Sequence, residues 1–144
     1  MEIDLSLFDI NLDDIEDVPG VGAPPSGVYE LLITVEPKQV TSKKDGAVYN
    51  LIEFRCKILS VIEQRNENAE PVLPGHMFSV STSVEPDRLR WHKENLLALM
   101  QIAEVNKMSE LFKVPYVRVI AKVKRVVSED GEKSYANLSN IQAA

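Results

Sequence analysis

Two strand-like runs joined by a basic, glycine-containing connection, together residues 28–61, constrain the fold of this chain more than any other stretch. In the first run Tyr29, Leu31, Ile33 and Val35 fall on one face. In the second, Ile52, Phe54, Cys56 and Ile58 fall on one face while Glu53, Arg55 and Lys57 fall on the other. Alternation of period two with β-branched and aromatic residues is the pattern of a half-buried strand. The connection, residues 38–46, carries Lys38, Lys43 and Lys44 and ends in Asp45-Gly46. That pair supplies the positive φ that a hairpin turn requires. A long hairpin with an apolar inner face and a cationic tip is the opening of a small barrel.

The later chain supplies what would close it. Residues 76–84 alternate, with Phe78, Val80, Thr82 and Val84 inward and a slim, serine-rich outer side. Pro86 and Asp87 then suit the first turn of a helix. The spacing predicts that helix over residues 88–105, with Leu89, Leu96, Leu99, Met100 and Ala103 as its apolar face. Trp91 falls off this stripe and reads as a rim residue sealing the barrel end, the alternative being an exposed aromatic. A short helical turn is expected at 109–113 before Val114-Pro115 restarts extended structure. Residues 116–128 form a fourth strand, with Val117, Val119, Ala121 and Val123 opposite Arg118, Lys122 and Lys124. After an Asp-Gly turn, residues 133–141 form a fifth, weaker strand. The order β-β-β-α-β-β defines an all-β chain with one main helix, the layout of a five-stranded OB-fold barrel.

At 144 residues one domain is expected, residues 28–144, preceded by an acidic N-terminal arm and Pro/Gly linker at 1–27. The first 20 residues hold seven acids and no Lys or Arg. Taking those seven from the 22 acids leaves 15 against 16 basic residues, so the net charge of −6 belongs to the arm and the body is close to neutral. Acidic residues there interleave with Ile3, Leu5, Leu7, Phe8, Ile10, Leu12 and Ile15, so the arm is either a solvated tail or a segment docking in a basic groove or a partner's pocket. No apolar run approaches the roughly 18 residues of a membrane span. The acidic N-terminus is unlike a signal peptide. The lone Cys56 reads as a core residue. The expected compartment is cytoplasmic.

Chemistry-bearing constellations are few. His76 and His92 have no Cys or acidic companions at metal-ligand spacing, and neither a phosphate-binding glycine loop nor a nucleophile elbow occurs. The expectation is a protein that is not an enzyme and uses no cofactor or metal. A groove for single-stranded nucleic acid needs cations for phosphates and aromatics for bases. In an OB-fold it crosses the second and third strands between the first and last hairpin loops. There the chain offers Lys38, Lys43 and Lys44, then Tyr49, Arg55 and Lys57, and from strand four and the last hairpin Lys122, Lys124, Arg125, Lys133 and Tyr135. The competing reading is a protein-interaction or assembly module that ignores nucleic acid, its cations being solvated faces that discourage edge aggregation. Nothing in the residues separates RNA from DNA.

The stretch Pro25-Ser26-Gly27-Val28-Tyr29, with Lys43-Lys44-Asp45-Gly46, Asn50-Leu51-Ile52-Glu53-Phe54 and Pro74-Gly75 ahead of the third strand, resembles small phage single-stranded DNA-binding proteins with an OB-fold. The resemblance covers about residues 25–141. It implies coating of exposed strands in phage replication or recombination, in the host cytoplasm and without sequence readout. Many such proteins carry an acidic, partner-recruiting tail at the C-terminus, whereas this chain ends Asn140-Ile141-Gln142-Ala143-Ala144. Recruitment of replication proteins, or self-association, would fall to residues 1–17.

Overall fold

A computed structural model describes residues 4–9, 11, 22–64, 72–131 and 133–144. Its centre is β1 (Gly27–Thr41), which pairs antiparallel with β2 (Val48–Gln64) along its whole length. Over residues 27–33 it also pairs antiparallel with β4 (Val117–Val127). β3 (Met77–Ser83) adds to the far side of β2 and β5 (Ser134–Ala143) to the far side of β4. The sheet order is therefore β3-β2-β1-β4-β5. The edges β3 and β5 come within 8 Å between Cα atoms but are not hydrogen-bonded to each other, so the sheet does not close.

The alternating faces fall as their sequence predicts. Tyr29, Leu31, Ile33, Val35, Ile52, Phe54, Cys56 and Ile58 are buried, and the inner residues of β3, β4 and β5 meet them in one core. Each fully buried large side chain contributes about 1.5–3 kcal/mol. Two register shifts lie in the β1–β2 ladder, between Val28 and Tyr29 and between Glu30 and Leu31. Such bulges raise the local twist and coil the sheet around its apolar face. A third irregularity lies opposite Ala121, where Asn140 takes φ 51°. It shifts the alternation so that Leu138 and Ile141 both face the core. Asparagine tolerates that left-handed geometry better than most residues.

Several boundaries differ from expectation. Residues 38–41 are strand, not loop: Lys38 to Thr41 pair with Leu51 to Val48, and Gln39 donates to the Asn50 side chain at 2.9 Å. The turn shrinks to residues 42–47, with Gly46 at φ 69°. Pro37 is accommodated because β4 has left β1 by then, so its missing N–H breaks no second ladder. Val84, expected inward, lies beyond β3 and is exposed. The long helix is broken into α1 (Pro86–Leu89), a 3-10 turn (Arg90–His92) and α2 (Lys93–Ala103), followed by α3 (Met108–Leu111). The 3-10 turn lays the His92 ring on Phe54, 6.0 Å between centroids and 24° from parallel. Trp91 points outward, so the rim-sealing reading is corrected. On α2, Leu96 and Leu99 are buried, and Asn95 donates to the Leu138 carbonyl at 3.0 Å, tying the helix to β5.

Most of the acidic arm and residues 65–71 of the polar loop expected at 63–75 lie outside the described residues. Within the arm, Leu5–Phe8 form a 3-10 turn capped by the Asp4 carboxylate. Residues 22–26 are tied to the body. Gly22 donates to the Met77 carbonyl, and His76 Nε2 donates to the Gly22 carbonyl at 2.7 Å. The buried Tyr29 hydroxyl donates to the Pro25 carbonyl. No helix among the described residues is long and apolar enough to cross a membrane.

Gly27 begins β1 where a Cβ would meet the backbone carbonyl oxygen of Glu63 well inside van der Waals contact. Gly27→Ala must therefore push β2 away or distort the first bulge. The expected cost is about 1–3 kcal/mol, from overpacking against backbone. Urea unfolding should show a lower midpoint at unchanged slope, and an unaltered midpoint would mean that the close approach relaxes freely.

Candidate nucleic-acid interface

A cleft of 620 Å³ lies between the two edge strands. Edge strands carry unpaired backbone donors and acceptors that invite an extended ligand. On the β3 side the wall is slim, because Ser79 and Ser81 occupy outward positions. β2 brings Glu53 and Arg55 to the wall, and β5 brings Tyr135 and Asn137. Gly22 and Ala23 stand at one end, and His92 is held on Phe54.

Two of the sequence-predicted residues, Arg55 and Tyr135, meet in this cleft. Arg55 is half-exposed, 3.6 Å from Glu36 and 3.9 Å from Glu53. Lys38 is engaged with Glu53 at 3.3 Å. Exposed pairs of this kind contribute about 0–1 kcal/mol, so a phosphate can replace the carboxylate at small cost. Lys57 lies on the same face of β2, opposite Met77 of the cleft wall, with no carboxylate within ion-pair distance among the described residues. Lys124 opposes Asn137 and shares its sheet face, and Lys122 opposes Ser139 further along. Lys133 is exposed beside the β4–β5 turn, which is held by its backbone N–H donating to Ser128 Oγ at 3.1 Å.

Three predicted residues sit apart, on the projecting β1–β2 arm. Lys43 and Lys44 are exposed at its turn, and Tyr49 lies in its ladder opposite Val40. The Asp45 carboxylate accepts from the Ala47 backbone N–H at 3.0 Å, which with Ser42 holds its carboxyl below the usual range. Its charge is engaged within the turn, and neither lysine has an ion-pair partner among the described residues. Arg125 departs most from expectation. Its guanidinium donates to the Ala23 carbonyl and its backbone N–H donates to Ser26 Oγ, so it fastens residues 22–26 instead of facing outward as a free cation.

Sequence reasoning missed His92, Ser79, Ser81 and Asn137 as cleft residues. The alternation of β3 signalled accessible serines, but only the approach of β3 to β5 makes them a wall. No group of three His, Cys, Asp or Glu residues suited to a metal ion occurs among the described residues. Cys56 is buried, which pushes its thiol well above the usual range and keeps it inert. Comparison with protein families, with curated proteins and with solved structures finds no match to this chain.

Burial holds His92 below its ordinary value of 6.5. Above that value the imidazole is neutral in folded and unfolded chains alike. As pH falls through it, the unfolded chain takes up a proton that the folded one resists, and stability declines. Thermal melts from about pH 7.5 to about pH 5 should show a steeper loss for the native chain than for His92→Phe, which keeps the stacking on Phe54. Equal slopes would mean that His92 is as solvated in the fold as outside it.

Proposed function

We propose that this chain binds single-stranded DNA without reading its sequence, on a partly open five-stranded OB-fold barrel. The strand order, with β3 and β5 drawn together but unpaired, is what an OB barrel left open at one seam would display. The cleft between those strands is the observation that carries the reading. It joins exposed strand edges, a guanidinium with exchangeable partners and the half-exposed ring of Tyr135 in a space open to an extended ligand. Arg55, Lys57, Lys124 and Lys133 would meet phosphates, Tyr135 would stack on a base, and the β1–β2 arm would bring Lys43 and Lys44 to the strand from outside the cleft. Serines in place of an array of base-edge donors favour a strand held by its backbone. Coating of strands exposed in phage replication or recombination is the setting that the resemblance implies.

Fluorescence anisotropy with labelled oligo-dT and a matched duplex tests this. Tight binding to the single strand and much weaker binding to the duplex are expected. Phosphate contacts from these six cations would give a slope of about −4 in log affinity against log salt. Tyr135→Ala should weaken binding about 5- to 150-fold, and paired alanines at Lys43 and Lys44 should weaken it and flatten the salt slope. No binding at low salt would sink the reading. The open edges of β3 and β5 would then be the contact surfaces of an assembly module.

A further inference from the structure

We propose that the turn between β3 and α2 is a second, nucleobase-stacking subsite centred on Trp91, reached by a single strand that leaves the cleft across the middle of β3. This rests on the single-strand reading and extends its site beyond the groove between the sheet edges.

Trp91 is 75% exposed, the most open of the large hydrophobic side chains among the described residues. A singly exposed apolar side chain is ordinary in itself, but an exposed indole offers a large flat face on which a base can stack. It is not loose, because the Arg90 guanidinium carbon lies 5.0 Å from the ring centroid. A cation over one face orients the ring and leaves the opposite face for a flat partner. Arg88 borders the same hollow of 350 Å³, beside Ser83. Neither arginine has a carboxylate within ion-pair distance among the described residues. A flat ring bearing a phosphate on either side is the ligand chemistry that suits this group. An unpaired nucleotide within a strand has that form.

Continuity with the cleft is the second observation. Ser81 and His92 border both hollows, so the two adjoin across the small side chain of Ser81. A strand stacked on Tyr135 can pass over Ser81 and arrive at Trp91 without crossing a bulky side chain of β3. The strap at residues 22–26 stands at one end of the cleft, whereas Ser81 and His92 lead on to this second hollow. The binding path is thereby lengthened by the helical turn, where Arg88, Arg90 and Lys93 surround Trp91 in sequence.

Trp91 is the only tryptophan of the chain, so its emission reports this subsite alone. Unlabelled oligo-dT is titrated into the full chain while emission is followed, with anisotropy of labelled oligo-dT measured in parallel. The expected result is quenching that tracks the anisotropy, with Trp91→Ala binding about 5- to 150-fold more weakly and Trp91→Tyr keeping most of the affinity. Saturation by anisotropy with unchanged emission, or undiminished affinity in Trp91→Ala, would overturn the subsite and leave Trp91 to a protein contact. The cleft reading would survive that outcome. Absence of any anisotropy change at low salt would remove both.

Discussion

The double pairing of β1 over residues 27–33 is the constraint on which the rest of the structure depends. Over that span β1 is the middle strand of the five, and its inner residues Tyr29, Leu31 and Ile33 are fully buried. β2 and β4 each carry an outer strand, so the positions of β3 and β5 follow from the register of β1. A slip of one residue would turn every inner side chain outward, which is why such a register is strongly specified. Gly27 and the two bulges beside it let β2 approach closely at that end. Past Ile33 β4 departs, β3 accompanies β2 only as far as Leu51, and beyond the Lys38–Leu51 pair β1 and β2 continue alone as the arm that ends at Lys43 and Lys44.

The segment at residues 22–26 uses the same geometry to hold both sides of the opening. It is bonded to β3 through Met77, to the neighbouring His76, and to β4 through Arg125. Each neutral hydrogen bond contributes about 0.5–1.5 kcal/mol, and those of the guanidinium more. Together they fasten one end of the cleft and account for the use of a cation that would otherwise face solvent. The opening is thereby directed along β3 towards His92 and the helical turn.

Local periodicity made the strands and their faces legible. Every inner residue read on the first two strands is buried, and the serines of the third point outward. What stayed illegible depends on partners distant in the chain. The arm grew by four residues at 38–41 because the facing strand supplied hydrogen-bond partners that a loop-like composition did not advertise. The helix broke at Arg90–His92, where stacking of His92 on Phe54 is a contact between residues 38 apart in the chain. Arg125 reads in the sequence as any cation on a strand, and only the fold brings the Ala23 carbonyl to its guanidinium. Lys38 and Arg55 likewise face Glu53 across and along the sheet, a neighbour relation that alternation reveals but whose effect on charge it does not.

The most direct test is to map backbone amide shifts by NMR as oligo-dT is added to the full chain. Perturbations are expected to concentrate at Ser79, Ser81, Tyr135 and Asn137 along the facing edges, with the outer face around Glu30 and Arg118 unmoved. Saturable binding that perturbs that outer face and leaves the cleft residues silent would contradict it.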